Sequence, residues 1–296
     1  GGIILVGEFA SKSIDLGNYN IKCCDDIEFI ATFEELDLAD QSEDNILELD
    51  GKKYAMEKES DFDPMFNKAK KDYLPNLVWA LDKMGAEDGD IYQVILGLPI
   101  NSLGQADTLK DELIGKKITY ITDVKKTITI EKVGIVGEGI SSYYMLPKDE
   151  REKDLIVIDL GGRTTNVVEY KNKKLVKKDT INEGMIDLFG NIKIKYNNTD
   201  GADEPLETHE IYHYIQKEQV PLYQDITDKF ISDIMKKIKL KFNLGLGKTI
   251  YFTGGGSVTL KESIKKYDKN FKFMDNPLYT NVKGNMKIAK AKGWCK

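Results

Sequence analysis

The sequence predicts an α/β fold made of two related halves, and three observations predict it. The tetrapeptide Ile-Asp-Leu-Gly occurs twice, at 14–17 and 158–161, with Asp15 and Asp159 separated by 144 residues. An internal repeat of this kind points to a duplicated unit. Each copy runs from an apolar stretch through a short polar turn into a second β-rich stretch, and alternating helical and strand patterns follow it. Finally, 296 residues with 41% apolar and 31% charged content suffice for two cores of ordinary soluble composition.

In chain order, residues 1–12 connect poorly to the strand pattern after them and read as a leader. The first copy, IDLGNYNIK at 14–22, reads as a hairpin, and strand continues over 27–33. ILELDGKKYAM at 46–56 places Asp50-Gly51 between alternating runs, a hairpin signal. Residues 64–84 carry a helical stripe of Phe66, Leu74, Leu77, Val78 and Leu81, with Pro75 expected to kink it and Gly85 to close it. A buried strand at 91–96, a helix over 101–114, strands at 117–122 and 127–136 and a short helix at 138–146 complete the first half. The charged stretch 148–153 reads as the joint between halves.

The second half opens on DLIVIDLGGRTTNVVEY, 154–170, read as strand, glycine turn and returning strand, with a third strand at 173–181. Helices are predicted over 182–196, 207–217 and 222–242, the last amphipathic through Ile226, Phe230, Ile234 and Ile238. A buried strand at 249–252 leads into Gly254-Gly255-Gly256-Ser257 and a helix over 258–267, with Ser257 as its N-cap. The boundaries expected from this pattern are 1–150 with about 285–296 for one domain and 151–284 for the other.

A net charge of −6 with interspersed signs argues against a broad nucleic-acid-binding face. Three cysteines without metal or disulfide spacing fit a reducing cytoplasm. The early apolar run, Ile3–Val6, is too short for a signal or membrane segment.

The turn after Asp159 carries two glycines and two threonines. Backbone N–H groups and hydroxyls there could surround a phosphate, with the carboxylate beside it for a metal ion. A Gly-Gly hairpin alone would be an ordinary turn, and an aspartate beside glycine ordinarily caps backbone N–H groups. The duplicate at Asp15 favours the functional reading. Glu138 at a helix start has a plain alternative as an acid favoured by the helix dipole. Gly254–Gly256 exceed what a strand-to-helix turn requires.

Taken together, IDLGNYNIK, Glu138, DLGGRTTN at 159–166, Gly184 opening a helix and FTGGGS at 252–257 resemble, in order and spacing, the nucleotide core of the actin superfamily. ILGLPI at 95–100 and NPLYTNVKGN at 276–285 are most similar to the bacterial actin-like plasmid-segregation proteins, the ParM group. The resemblance covers about residues 13–293. It implies actin-like (ribonuclease H-like) duplicated domains around a nucleotide cleft, and a filament-forming ATPase (or GTPase) requiring Mg²⁺. The implied partners are further copies of the chain and a DNA-binding adaptor of a plasmid-partition system, with no direct nucleic acid and no membrane. Under the resemblance, Asp15 and Asp159 hold Mg²⁺ through water. Gly17, Asn18, Tyr19, Asn20, Lys22, Gly161, Gly162, Arg163 and Thr164 surround the phosphates. Gly184, Glu207, Gly254, Gly255, Gly256 and Ser257 lie along the rest of the nucleotide, and Glu138 orients the attacking water. Two positions depart from the family pattern: Asn166, where an acid is common, and Arg163, where a glycine is common. Arg163 is expected to point to solvent.

Two other readings compete. A sugar- or acetate-kinase-like phosphotransferase would share the core. His209-Glu210-Ile211-Tyr212-His213 matches the zinc-peptidase pattern H-E-x-x-H, with Asp225 or Asp228 as the conceivable third ligand.

Overall fold

The computed structural model describes residues 9–37, 44–58, 72–199, 205–245 and 247–295. It divides into two compact units. The first comprises the described residues of Gly1–Leu98, Ser102–Gly137 and Asn281–Lys296, and the second Pro99–Asn101 and Glu138–Thr280. The expected joint at 148–153 lies inside the second unit, where Glu150–Glu152 form a 3₁₀ turn.

In the first unit the chain forms β1 (Phe9–Leu16), β2 (Asn20–Cys23), β3 (Glu28–Ile30), β4 (Phe33–Leu36), β5 (Ile46–Leu49), β6 (Lys52–Met56), α1 (Leu74–Lys83), β7 (Ile91–Leu98), α2 (Ala106–Leu113), β8 (Lys116–Ile121) and β9 (Lys125–Gly137). The nine strands make one sheet in the order β3-β2-β1-β7-β9-β8-β5-β6-β4. β1, β7 and β9 run parallel in its centre, so both their faces are covered. Val94 and Leu96 of β7 join the core under α1, and Ile95 joins a smaller cluster on the opposite face. Three expectations change here. β1 begins at Phe9, pairing Phe9 with Ile91, so 9–12 are strand and not leader. Pro75 sits in the first turn of α1, where its missing N–H costs nothing, and does not kink it. The part of the predicted helix at 64–71 falls outside the described residues. The Asp50-Gly51 hairpin stands as expected, both residues having positive φ (51° and 76°), the primed turn that matches strand twist.

The second unit continues with α3 (Ile140–Tyr143), β10 (Leu155–Leu160), β11 (Thr165–Lys171), β12 (Lys174–Ile181), α4 (Met185–Thr199), α5 (Thr208–Gln216), α6 (Gln224–Lys241), β13 (Thr249–Thr253), α7 (Gly255–Thr259), α8 (Lys261–Tyr267) and β14 (Lys272–Phe273). Its sheet order is β12-β11-β10-β13-β14. Alternate residues of β10 enter two cores: Ile156, Ile158 and Leu160 pack with α4–α6, and Leu155 and Val157 with Tyr143, Tyr170 and Met274. That double burial is why 155–158 reads as an unbroken apolar run. The closing helix α9 (Thr280–Ala291) supplies Ile288 and Ala289 to the cluster around Ile95 and Val136 in the first unit.

Candidate functional site

Each unit carries one copy of the repeat as a hairpin, and the two copies share a register. In the first unit Asp15 faces Lys22 and Leu16 faces Ile21. In the second, Asp159 faces Asn166 and Leu160 faces Thr165. The turns therefore span residues 17–20 and 161–164. Both aspartates are buried, at 9% and 4% exposure. In each turn a backbone carbonyl folds over the glycine that follows Asp-Leu. A Cβ on Gly17 would fall under 3.0 Å from the Asn20 carbonyl oxygen, and one on Gly161 would lie 3.0 Å from that of Thr164. Gly161 N–H closes the second turn on Thr164 O at 2.9 Å.

Asn18 and Asn20 of the first turn each carry a buried side-chain oxygen with no hydrogen-bond partner, although Asn20 Nδ2–H donates to Glu28 at 2.6 Å. Buried polar atoms are ordinarily paired, and such orphans in a glycine turn are what a polar ligand would satisfy. Tyr19 and Lys22 are half-buried beside them.

Glu138 follows the last residue of β9 and precedes Gly139, the N-cap of α3. It thus lies just outside the helix, and at 5% exposure it is no solvent-facing first-turn acid. Its carboxylate is held by Asn166, whose Nδ2–H donates to Glu138 Oε2 at 2.9 Å. Asn166 is itself fixed from its other end, Oδ1 accepting from Ile100 N–H at 3.2 Å and Thr180 Oγ1–H at 2.8 Å. The amide orientation is set by that network: only Nδ2 can donate to the carboxylate. Sequence reasoning noted Asn166 as a departure and missed this role. The repeat held the signal, since Asn166 occupies the register position of Lys22.

Gly184, Gly254 and Gly256 pack against the second hairpin itself. A Cβ on Gly184 would lie 2.5 Å from Gly162 O and 2.7 Å from Gly161 O. Without one, Met185 N–H and Ile186 N–H bond the carbonyls of Gly161 and Gly162 at 3.0 and 2.8 Å. The start of α4 thus clamps the carbonyl side of the turn, its Met185 and Ile186 N–H groups being spent on the hairpin. Gly254 (φ 83°) passes so close to Asp159 that a Cβ would collide with Oδ1 and with Leu160 O. Gly256 is packed equally hard against the Leu160 side chain. Gly255 has room, its nearest neighbour being Leu278 at 3.5 Å.

Two of the expected ligands have other partners. Ser257 does not cap the helix: Gly254 is the N-cap, and Ser257 Oγ–H donates to Gly254 O at 2.7 Å. Glu207 forms a capping box with Glu210 at the start of α5 and pairs with Lys193 at 2.9 Å. Arg163 is half-buried, not out in solvent. The zinc-peptidase reading fails on geometry. Glu210 Oε2 accepts the Glu207 N–H at 2.7 Å, and Asp225 and Asp228 pair with Lys195 and Lys266. No group of three metal-ligating side chains occurs among the described residues.

Solved structures resemble nearly the whole chain. A crystallised archaeal actin homologue matches with a TM-score of 0.77 at 16% identity, over 95% of this chain and 99% of its own. A 15-stranded ParM filament from Clostridium botulinum gives 0.77 at 18% identity, with the same coverages. The chain has the actin-like fold. The apo ParM protein of pSK41 matches this actin-like chain at 0.67 and 19% identity, over 96% and 98%. No protein-family model matches the chain. Among curated sequences, the uroporphyrinogen decarboxylase of Ruthia magnifica subsp. Calyptogena magnifica is 26% identical over 178 residues. That is 55% of this chain and 45% of the decarboxylase, so the chain spans under half of that protein.

Proposed function

We propose that this actin-like chain binds a nucleoside triphosphate with Mg²⁺, hydrolyses it, and uses it to control assembly into filaments. The observation that carries the reading is the pair of register-matched hairpins, each with a buried aspartate before a glycine turn. Gly17–Asn20 and Gly161–Thr164 would bind phosphate oxygens through backbone N–H groups, with Lys22 as a cation near the first turn. Asp15 and Asp159 would hold hydrated Mg²⁺, consistent with a hard cation that keeps several waters. The ion would supply charge neutralisation for the phosphates. Glu138, its carboxylate held by the Asn166 amide, would orient a water molecule and accept a proton from it. Because Gly254 packs on Asp159, the β13–α7 turn fixes that carboxylate's position.

The relatives support the two finer parts of the reading. One structure of the archaeal actin homologue is a complex with ADP, and the Clostridium botulinum structure is a filament. On the same footing, a DNA-binding adaptor of a plasmid-partition system is the proposed partner and the cytoplasm the proposed location. No helix among the described residues is long and apolar enough to cross a membrane.

The test is sedimentation and phosphate release with Mg·ATP and Mg·GTP. Nucleotide-dependent pelleting with release of phosphate to water is expected. Transfer of phosphate to a sugar or acetate without pelleting would assign the chain to the phosphotransferases instead.

A further inference from the structure

Of the four edge strands among the described residues, β3, β4, β12 and β14, two carry opposite charge: β12 and β4. β12 is an edge of the second unit's sheet, pairing with β11 alone. Its residues 174–178 are exposed, including Val176 at 51%. The segment 171–178 contains five lysines and no acid. β4 is an edge of the first unit's sheet, pairing with β6 alone. Glu34, Glu35 and Asp37 are exposed there, with Phe33 and Leu36 half-buried beside them. An open edge is a ready template for another strand, and charged side chains decide which strand it accepts.

We infer that β12 of one copy pairs antiparallel with β4 of the next copy, Lys178 facing Glu34, Lys177 facing Glu35 and Val176 facing Leu36. The inference rests on the self-assembly reading and names its contact. In this register the pleat puts the Lys178–Glu34 and Val176–Leu36 pairs on one face and Lys177–Glu35 on the other. A shift of one residue sets Asp179 against Glu34 in one direction and Val176 against Glu35 in the other, so the register is specified. Lys178 and Glu34 make no ion pair among the described residues. Glu35 is paired with Lys52 at 2.8 Å, but both side chains are 54% exposed, so the pair exchanges readily. Lys177 lies over the Phe242 ring, with its ammonium on the Lys241 carbonyl, which sets the rim of the strip.

Like edges repel: β12 on β12 opposes lysines, and β4 on β4 opposes glutamates. The contact is therefore heterologous, each copy giving one edge and receiving on the other. A heterologous contact that does not close on itself propagates into an open chain.

Charge exchange tests it. K177E/K178E and E34K/E35K, each alone, should raise the critical concentration for nucleotide-dependent pelleting about tenfold or more. Nucleotide affinity and circular dichroism should stay unchanged. A 1:1 mixture of the two variants should pellet again, because every contact between unlike copies regains opposite charges. The four-substitution chain, with both edges exchanged, should pellet alone. Wild-type-like pelleting of either double variant, or a mixture that stays soluble, overturns the pairing while leaving the filament reading intact. The same holds if binding to anionic vesicles is all that the lysine exchange abolishes. Failure of the wild type to pellet with any nucleotide overturns both.

Discussion

Asn166 is the residue on which the proposed chemistry most depends. It is fully buried, spends Nδ2 on Glu138, and accepts two hydrogen bonds at Oδ1. Asn166→Asp sets a carboxylate against Glu138 and removes the donor. Nucleotide affinity should persist while single-turnover hydrolysis falls at least about tenfold, a loss of roughly 1.4 kcal/mol of transition-state stabilisation. Asn166→Ala should cost about 1–3 kcal/mol in denaturant unfolding as well, because Ile100 N–H and the Thr180 hydroxyl lose their acceptor. The glycine triplet divides in the same way. Gly254→Ala meets Asp159 and Leu160 at positive φ and should destabilise by more than about 1–2 kcal/mol, whereas Gly255→Ala should be near neutral. Matched unfolding curves for the two variants check it. At this scale the sequence displayed Asp15, Asp159 and the glycines as a pattern. It did not display which glycines face protein, since close approach between β10 and the β13–α7 turn is a tertiary fact. Asn166 read as an exception because its partner Glu138 is 28 residues away in sequence.

Among the elements, strands with two buried faces were the most legible. Unbroken apolar runs such as 155–158, and 94–96 within β7, leave little else for the chain to do. Turns were legible where glycine marks them, as at Asp50-Gly51. The β11–β12 turn was less so: Asn172 and Lys173 both take positive φ (48° and 64°) without a glycine. Helix starts were misjudged at Ser257 and Glu138, where a hydroxyl or acid close to a helix mimics a cap but bonds elsewhere. One loop carries a pH dependence. Hydrogen bonds from Lys153 and then Tyr251 pull the Glu150 carboxyl down to about 2, tying the 3₁₀ turn at 150–152 to β13. A depressed carboxyl contributes stability above its ordinary titration range and loses it as pH falls toward 2. The wild type should therefore melt above Glu150→Gln at pH 7, and the two melting temperatures should converge as pH falls to about 2. The adjacent thiols of β2 and its following turn behave oppositely. Burial pushes Cys23 up to about 12 and Cys24 up to about 11, so both should alkylate slowly with iodoacetamide at pH 8 in the folded chain and rapidly in urea.

For the whole molecule, the duplicated hairpin announced two related units, and the actin-like fold bears out the class read from it. The chain assigned to each unit was harder to read. The path crosses between units at Leu98–Pro99, Asn101–Ser102, Gly137–Glu138 and Thr280–Asn281, whereas the sequence reading placed the joint in the charged stretch 148–153. Glu138 sits at one crossing and Ile100, a partner of Asn166, beside another, so the proposed hydrolytic group belongs to segments where the chain changes unit. Nucleotide hydrolysis through Glu138 is proposed to govern assembly. Electron microscopy and sedimentation of wild type and Glu138→Gln, with phosphate release followed in the same Mg·ATP or Mg·GTP samples, test it most directly. Filaments in both proteins, with release slowed at least about tenfold and polymer persisting longer in the variant, are the expected result. Normal phosphate release by Glu138→Gln, or no nucleotide-dependent polymer from the wild type, would contradict it.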